Sequence, residues 1–240
     1  MPAYLKILFV CPLFFTLFAI DSKSTLAESS KKPESKEPNL LSYTMKLDDN
    51  ESSIPSDRRA MLVDAASGIR KALADKGSVN LVFVCTHNSR RSQFSQAWAT
   101  IAADHFHLNG IRNHSCGTAA TACNARTVAA LERAGLKITH SGAETNPIYS
   151  VTFDADRPPF VLFSKAFDDP SLPKKDFFAM MCCDDADQNC PHIPGAIQRV
   201  PLFYVDPKVS DDRPNEAEVY DERSLQIATE MFALMKLVAN

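Results

Sequence analysis

The chain has 240 residues, 45% of them hydrophobic and 23% charged, enough to bury one sizeable core with tails. Its formal net charge of -3 provides no broad basic face and argues against nucleic acid as a partner. Seven cysteines are too sparse for a disulfide scaffold at this length, so each has to be read by its neighbours.

In chain order, Lys6 precedes an apolar run from Ile7 to Ile20, and a polar segment then reaches the small residue Ala27. This is the pattern of a secretory signal peptide over residues 1–27. The run is short for a bilayer span, so no stable membrane insertion is expected and an exported location, periplasmic or secreted, is. Cys11 would leave with the signal. Residues 28–55, which include SSKKPESKEPN, hold few large apolar side chains and predict a flexible linker.

A single domain is expected over residues 56–240. Ser56, as N-cap, opens a helix to about Asp75 on a loose stripe of Leu62, Val63, Ile69 and Leu73 that stops at Gly77. Val79 to Val84 (VNLVFV) predicts a strand buried on both faces. The polar stretch CTHNSRRS follows, then a helical pattern carrying Phe94, Ala97, Trp98, Ile101 and Ala102. Further on come a strand near Arg112 to Ser115, and a helix from Asn124, a good N-cap, to Gly135, a good C-cap. Strands are expected at Phe160–Phe163, Phe177–Cys182 and Arg199–Tyr204, and a long helix from Glu216 to about Val238. Residues Tyr149–Asp176, with Pro158, Pro159, Pro170 and Pro173, read as a loop-rich insertion. The alternation predicts an α/β fold: an open, mainly parallel four-stranded sheet with helices on both faces.

Cys85 ends the first buried strand, where open α/β sheets place their ligands, and Arg91 follows at C-x5-R spacing at the start of a helix. A loop of that length can curl so that the backbone N–H groups of Thr86, His87, Asn88, Ser89 and Arg90 face one tetrahedral oxyanion. Arg91 adds a bidentate clamp. The same dipoles and charge favour the Cys85 thiolate and make it a nucleophile. Ser92 is placed to donate to that sulfur, and the Asn88 amide to tie the loop together. His87 and Arg90 read as loop-surface residues that tune anion or substrate preference. Taken alone, C-x5-R is also what a strand-end cysteine with a solvated arginine would show. Its place between a strand and a helix makes it more specific.

VFVCTHNSRRS resembles the nucleophile loop of the low-molecular-weight tyrosine phosphatase superfamily, including the arsenate reductases that share its fold. The resemblance runs from about Val79 to the C-terminus. It implies a phosphotyrosine phosphatase I-like fold and binding of arsenate or phosphate.

Tyr204-Val205-Asp206-Pro207 follows a predicted strand late in the chain. Breaking a bond to a leaving oxygen needs a proton donor, and Pro207 restricts the backbone before it, so Asp206 is the candidate general acid. In isolation Asp-Pro is an ordinary turn initiator; its similarity to the acid loop of the superfamily carries the assignment. Asp211 and Asp212, with no proline to fix them, are expected to face solvent.

Cys182, Cys183 and Cys190 follow the apolar run Phe177–Met181, and Cys183 and Cys190 bracket an acidic loop expected to be mobile. A static disulfide is one reading of that pair. A zinc site with Cys182 and His192 is another, although the tight C-x2-4-C knuckle is missing and no metal is expected. CDDADQNCP resembles the redox loop of thioredoxin-coupled arsenate reductases, which implies Cys183 as the resolving thiol and Cys190 as the thiol presented to thioredoxin. Cys182, Cys116 and Cys123 read as buried small hydrophobes.

The sequence therefore points first to arsenate reduction, with no bound cofactor but an external thiol reductant such as thioredoxin. Hydrolysis of a phosphomonoester, phosphotyrosine among them, through a phosphocysteine is the alternative. A binding protein that holds the anion without turnover stands third. The expected oxidising location conflicts with a reducing partner.

Overall fold

The computed structural model of the protein describes residues 39–189 and 193–240. The segment read as a signal peptide, with Cys11, and the start of the segment read as a linker lie outside the described residues, as do Cys190, Pro191 and His192. Among the described residues no helix is long and apolar enough to cross a membrane.

Six helices and seven strands are described: α1 (Leu40–Glu51), α2 (Ser56–Lys76), β1 (Val79–Cys85), α3 (Arg91–His105), β2 (Ile111–Gly117), α4 (Ala125–Arg133), β3 (Lys137–Ser141), β4 (Ile148–Thr152), β5 (Phe160–Leu162), β6 (Phe177–Met181), α5 (Asp184–Asn189), β7 (Ala196–Pro201) and α6 (Glu216–Ala239), with a 3-10 turn at Pro207–Ser210. The main sheet is four-stranded in the order β2-β1-β6-β7, and every pair is parallel. The central strand β1 is buried along nearly its whole length, as its unbroken apolar run requires. Helices flank this sheet. α6 packs on both α2 and α3; Trp98 of α3 is fully buried and donates Nε1–H to Ser224 Oγ of α6 at 2.9 Å.

Several expectations need correction. Residues 40–51 are not linker but helix. Asn39 caps α1 by accepting from Leu41 N, Tyr43 stacks on Trp98 with ring centroids 4.9 Å apart, and Leu47 is buried. Leu40, Tyr43 and Leu47 recur at helical spacing, but the polar residues between them hide the stripe. Ser56 is the first residue of α2 rather than its cap, which is Pro55.

The segment read as a loop-rich insertion contributes β4 and β5 to a second, antiparallel sheet of order β3-β4-β5. Phe160–Leu162 is therefore not a strand of the main sheet. These strands are short and largely exposed, with only Val151 and Leu162 fully buried, so they carry little periodic signal. β7 lies earlier than predicted, at Ala196–Pro201, which frees Leu202–Val205 to form the approach to Asp206. The acidic stretch after Cys183 is the helical turn α5, not a loop.

Candidate active site

Cys85 is the last residue of β1 and lies almost fully buried at the carboxyl end of the main sheet. Residues 86–90 curl from there into the first turn of α3. Asn88 takes φ +46, a left-handed conformation that asparagine tolerates better than most residues. Its buried side chain is satisfied at both ends: Nδ2 donates to Ser92 Oγ at 2.8 Å, and Oδ1 accepts from Lys165 N at 2.9 Å.

The carbonyls of the loop all accept from partners around it. Cys85 O takes Thr118 N, and Thr86 O takes Ala119 N and Thr118 Oγ1. His87 O takes Ser164 Oγ and Thr121 Oγ1, Asn88 O takes Gln93 Nε2, and Ser89 O takes Asn124 N and Thr127 Oγ1. A trans peptide sets its N–H opposite its C=O. With five successive carbonyls turned out into the protein, the amides of Thr86 to Arg90 face the inside of the curl. The cradle is thus built by its surroundings.

Gly117 shows how closely those surroundings fit. A Cβ there would meet Ala119 O at 2.6 Å, Asn88 N at 2.7 Å and Thr86 O at 2.7 Å, so only glycine lets β2 run beside the loop. Gly117, Thr118, Thr121, Gln93 and Ser164 support the site, and none was visible in sequence; no local motif marks a residue whose role is to face a loop from another element.

Ser92 Oγ lies 3.0 Å from Cys85 Sγ. Asn88 Nδ2 donates to that oxygen, and the serine proton can turn to the sulfur. Arg91 is buried, with Nη2 2.9 Å from Asp206 Oδ2 and Nη1 donating to Tyr204 O at 3.2 Å; its Nε has no partner among the described residues. Burial opposes the charge of Arg91, but the Asp206 carboxylate beside it helps to hold its pKa above the ordinary value. Asp206 itself is partly exposed and N-caps the 3-10 turn, accepting from Lys208 N at 3.1 Å.

Cys183 is fully buried, its Sγ 3.5 Å from Thr86 Oγ1 in the cradle and 3.4 Å from Ala186 N, which it accepts at the start of α5. Cys182 is buried against Ser95 Oγ at 3.5 Å, and burial pushes its thiol pKa up. Cys116 and Cys123 are also buried, Cys123 with its pKa pushed up to about 12 by desolvation. The structure thus brings Cys85, Arg91, Ser92, Asp206 and Cys183 together. Cys190 lies outside the described residues.

Two expectations about side-chain direction fail. Arg90 is not a loop-surface residue: Nε donates to Tyr220 OH at 2.7 Å, and Nη2 lies 3.2 Å from Asp211 Oδ2. Asp211 does not face solvent, since it also accepts from Tyr220 OH at 2.7 Å. The two charges neutralise one another beneath the acid loop, where Arg90 Nε is 3.9 Å from Asp206 Oδ1. His87 is exposed, and Asp212 is 89% exposed at its side chain, paired with Arg126.

A parallel sheet ending in a cysteine, with a curled loop, a buried arginine and a carboxyl beside it, defines the class: an α/β fold with a cysteine-centred candidate site at the carboxyl end of its sheet. Over 128 residues the chain is 24% identical to arsenate reductases of Staphylococcus aureus, those of strains Newman and COL among them, covering 53% of this chain and 77% of each relative. Among solved structures it is similar to a low-molecular-weight phosphotyrosine phosphatase from Vibrio cholerae (17% identity, TM-score 0.45, 66% of this chain and 95% of that one). It is also similar to a YwlE mutant from Bacillus subtilis (14%, 0.47, 68% and 100%) and to an arsenate reductase in the phosphate binding state (16%, 0.41, 67% and 98%). No family model matches the chain.

Proposed function

We propose that the protein reduces arsenate to arsenite through Cys85 and a dithiol relay. The observation that carries this reading is the buried thiol of Cys183 against Thr86, the residue that follows Cys85 in the cradle. The sequence likeness to arsenate reductases agrees with it.

In the proposed cycle the amides of Thr86 to Arg90 and the Arg91 guanidinium hold arsenate while the Cys85 thiolate attacks arsenic, and Asp206 protonates the leaving oxygen. The Cys183 thiolate then attacks Cys85 sulfur. A sulfur–sulfur bond forms, the sulfur–arsenic bond breaks with its electron pair going to arsenic, and arsenite leaves as two thiols become one disulfide. Cys190 attacks Cys183 in turn and frees Cys85. A thioredoxin-like dithiol reduces the Cys183–Cys190 disulfide; an exported location would require that reductant to be exported too.

Phosphomonoester hydrolysis uses the same Cys85, Arg91 and Asp206 and differs only in that water attacks the intermediate. Its specific support is that Cys183 Sγ already has a structural use in accepting Ala186 N at the start of α5. The deciding experiment runs arsenate-dependent NADPH oxidation, with thioredoxin and thioredoxin reductase, beside phosphotyrosine hydrolysis. For the reductase, Cys183→Ser abolishes NADPH oxidation and spares any hydrolysis. Hydrolysis without arsenate-dependent oxidation in the wild type establishes the phosphatase instead.

A further inference from the structure

Far from the cradle in sequence, Arg58 of α2 and Glu230 of α6 form a buried ion pair. Arg58 donates from Nε at 3.0 Å and from Nη2 at 2.7 Å to Glu230 Oε2, and Glu230 is 2% exposed. Tyr204 OH donates to the same oxygen at 2.8 Å, and the Arg58 guanidinium lies over the Tyr204 ring, 4.7 Å from its centroid. Gln226 Nε2 holds the other oxygen, Glu230 Oε1, at 3.2 Å. Burial and the Glu230 carboxylate raise the pKa of Tyr204 well above the ordinary value, so the phenol keeps the proton it donates.

Buried ion pairs are poor sources of net stability, because desolvation offsets most of the attraction. They do fix geometry. Here the fixed residue is Tyr204, whose backbone meets the site on two sides. Its N–H donates to Cys182 O at 3.1 Å, beside Cys183; its carbonyl accepts from Arg91 Nη1 at 3.2 Å; and Asp206 follows two residues later. Arg91 Nη2 in turn is 2.9 Å from Asp206 Oδ2. Ring face, hydroxyl and backbone of Tyr204 are all held, so rotation or withdrawal of this residue would displace the guanidinium and the acid together.

We propose that Arg58 and Glu230 are positioning residues for the oxyanion site, holding Tyr204 so that Arg91 and the Asp206 loop face the cradle. The proposal rests on the reading of residues 85–92 as an oxyanion cradle. It applies equally to reduction and to hydrolysis. It also gives α2, which precedes the strand–loop–helix unit, a part in the site.

The test is calorimetric titration of the full, reduced chain with inorganic phosphate, an oxyanion that Cys183 cannot reduce, together with thermal melting. Arg58→Met is expected to weaken phosphate binding about tenfold, since Arg91 loses the carbonyl that orients it. Tyr204→Phe, which removes only the hydroxyl, should weaken it in the same direction. The double variant should be no weaker than Arg58→Met, because both changes act through one residue. Arg58→Lys should not restore affinity, as an ammonium can neither stack on the ring nor present the planar fork.

A purely structural pair would lower the melting temperature of Arg58→Met and leave phosphate affinity below that temperature unchanged, and this result overturns the proposal. So do additive losses in the double variant. If Arg58→Met does not fold, Tyr204→Phe decides: wild-type affinity in that variant overturns the proposal. A wild type that binds no phosphate overturns the cradle reading itself, and is told apart because no variant is needed to see it.

Discussion

Residues 85–92 and residues 183–189 meet where Thr86 approaches Cys183, yet they are held very differently. The first stretch is tied through its carbonyls to the β2–α4 connection, to Ser164 beyond β5 and to α3, and through the Asn88 side chain to Lys165. The second is a six-residue helical turn that Arg199 ties through a guanidinium pairing with Asp187 at 2.6 Å and that Cys183 caps. An anion grip works best when its dipoles are fixed before the ligand arrives, because no reorganisation is then needed. A relay thiol has the opposite requirement: it must leave one partner for another, and segments that do so come from the weakly tied end of a structure.

Gly117→Ala is the sharpest way to break that comparison. The new methyl would press on three backbone atoms of the cradle and its support, so overpacking of about 1–3 kcal/mol is expected in thermal melting. Phosphate binding should be lost with it. A variant that melts and binds like the wild type would show that the cradle is softer than its hydrogen bonds suggest.

Asp187→Ala should do far less to the fold, with a stability loss below about 1 kcal/mol, because it removes one partly exposed ion pair. Phosphate affinity should not change, whereas oxidative closure of Cys183 with Cys190, followed by thiol counting, should quicken. Equal closure rates would mean that Arg199 does not restrain the segment.

The smallest effect expected is none at all. Raised thiol pKa values keep the protonated, unreactive form up to high pH. With Cys123 at about 12, about one molecule in ten thousand carries its thiolate at pH 8. Cys182 lies higher for the same reason, burial. Iodoacetamide at pH 8 should therefore leave Cys123 and Cys182 unmodified by peptide mass spectrometry. Labelling at either would show that the core around it opens to solvent.

The main sheet and the loop from Cys85 to Arg91 were legible because both rest on short-range patterns. VNLVFV reads as a buried strand without further context, and CTHNSRRS sets sulfur and guanidinium at a separation that a single curl closes. Asn124 marks the start of α4 by a local cap, accepting from Arg126 N. Helix α1 was missed because composition outweighed a stripe of only three apolar residues. Strands β3 and β4 were missed because exposed antiparallel strands carry little periodicity.

By itself the sequence determined the parallel core and the strand–loop–helix unit that sets Cys85 and Arg91 at the two ends of one loop, since these follow from residue type and spacing within a short segment. Only the tertiary structure decided that Arg90 turns to Tyr220 rather than to the anion, that Gly117 and Ser164 shape the cradle, and that Tyr204 is held from α2 and α6. Those decisions join residues 77 positions apart, as from Asn88 to Lys165, or 172 apart, as from Arg58 to Glu230. At such separations the partner of a side chain is chosen by how the layers pack, and no local pattern records it.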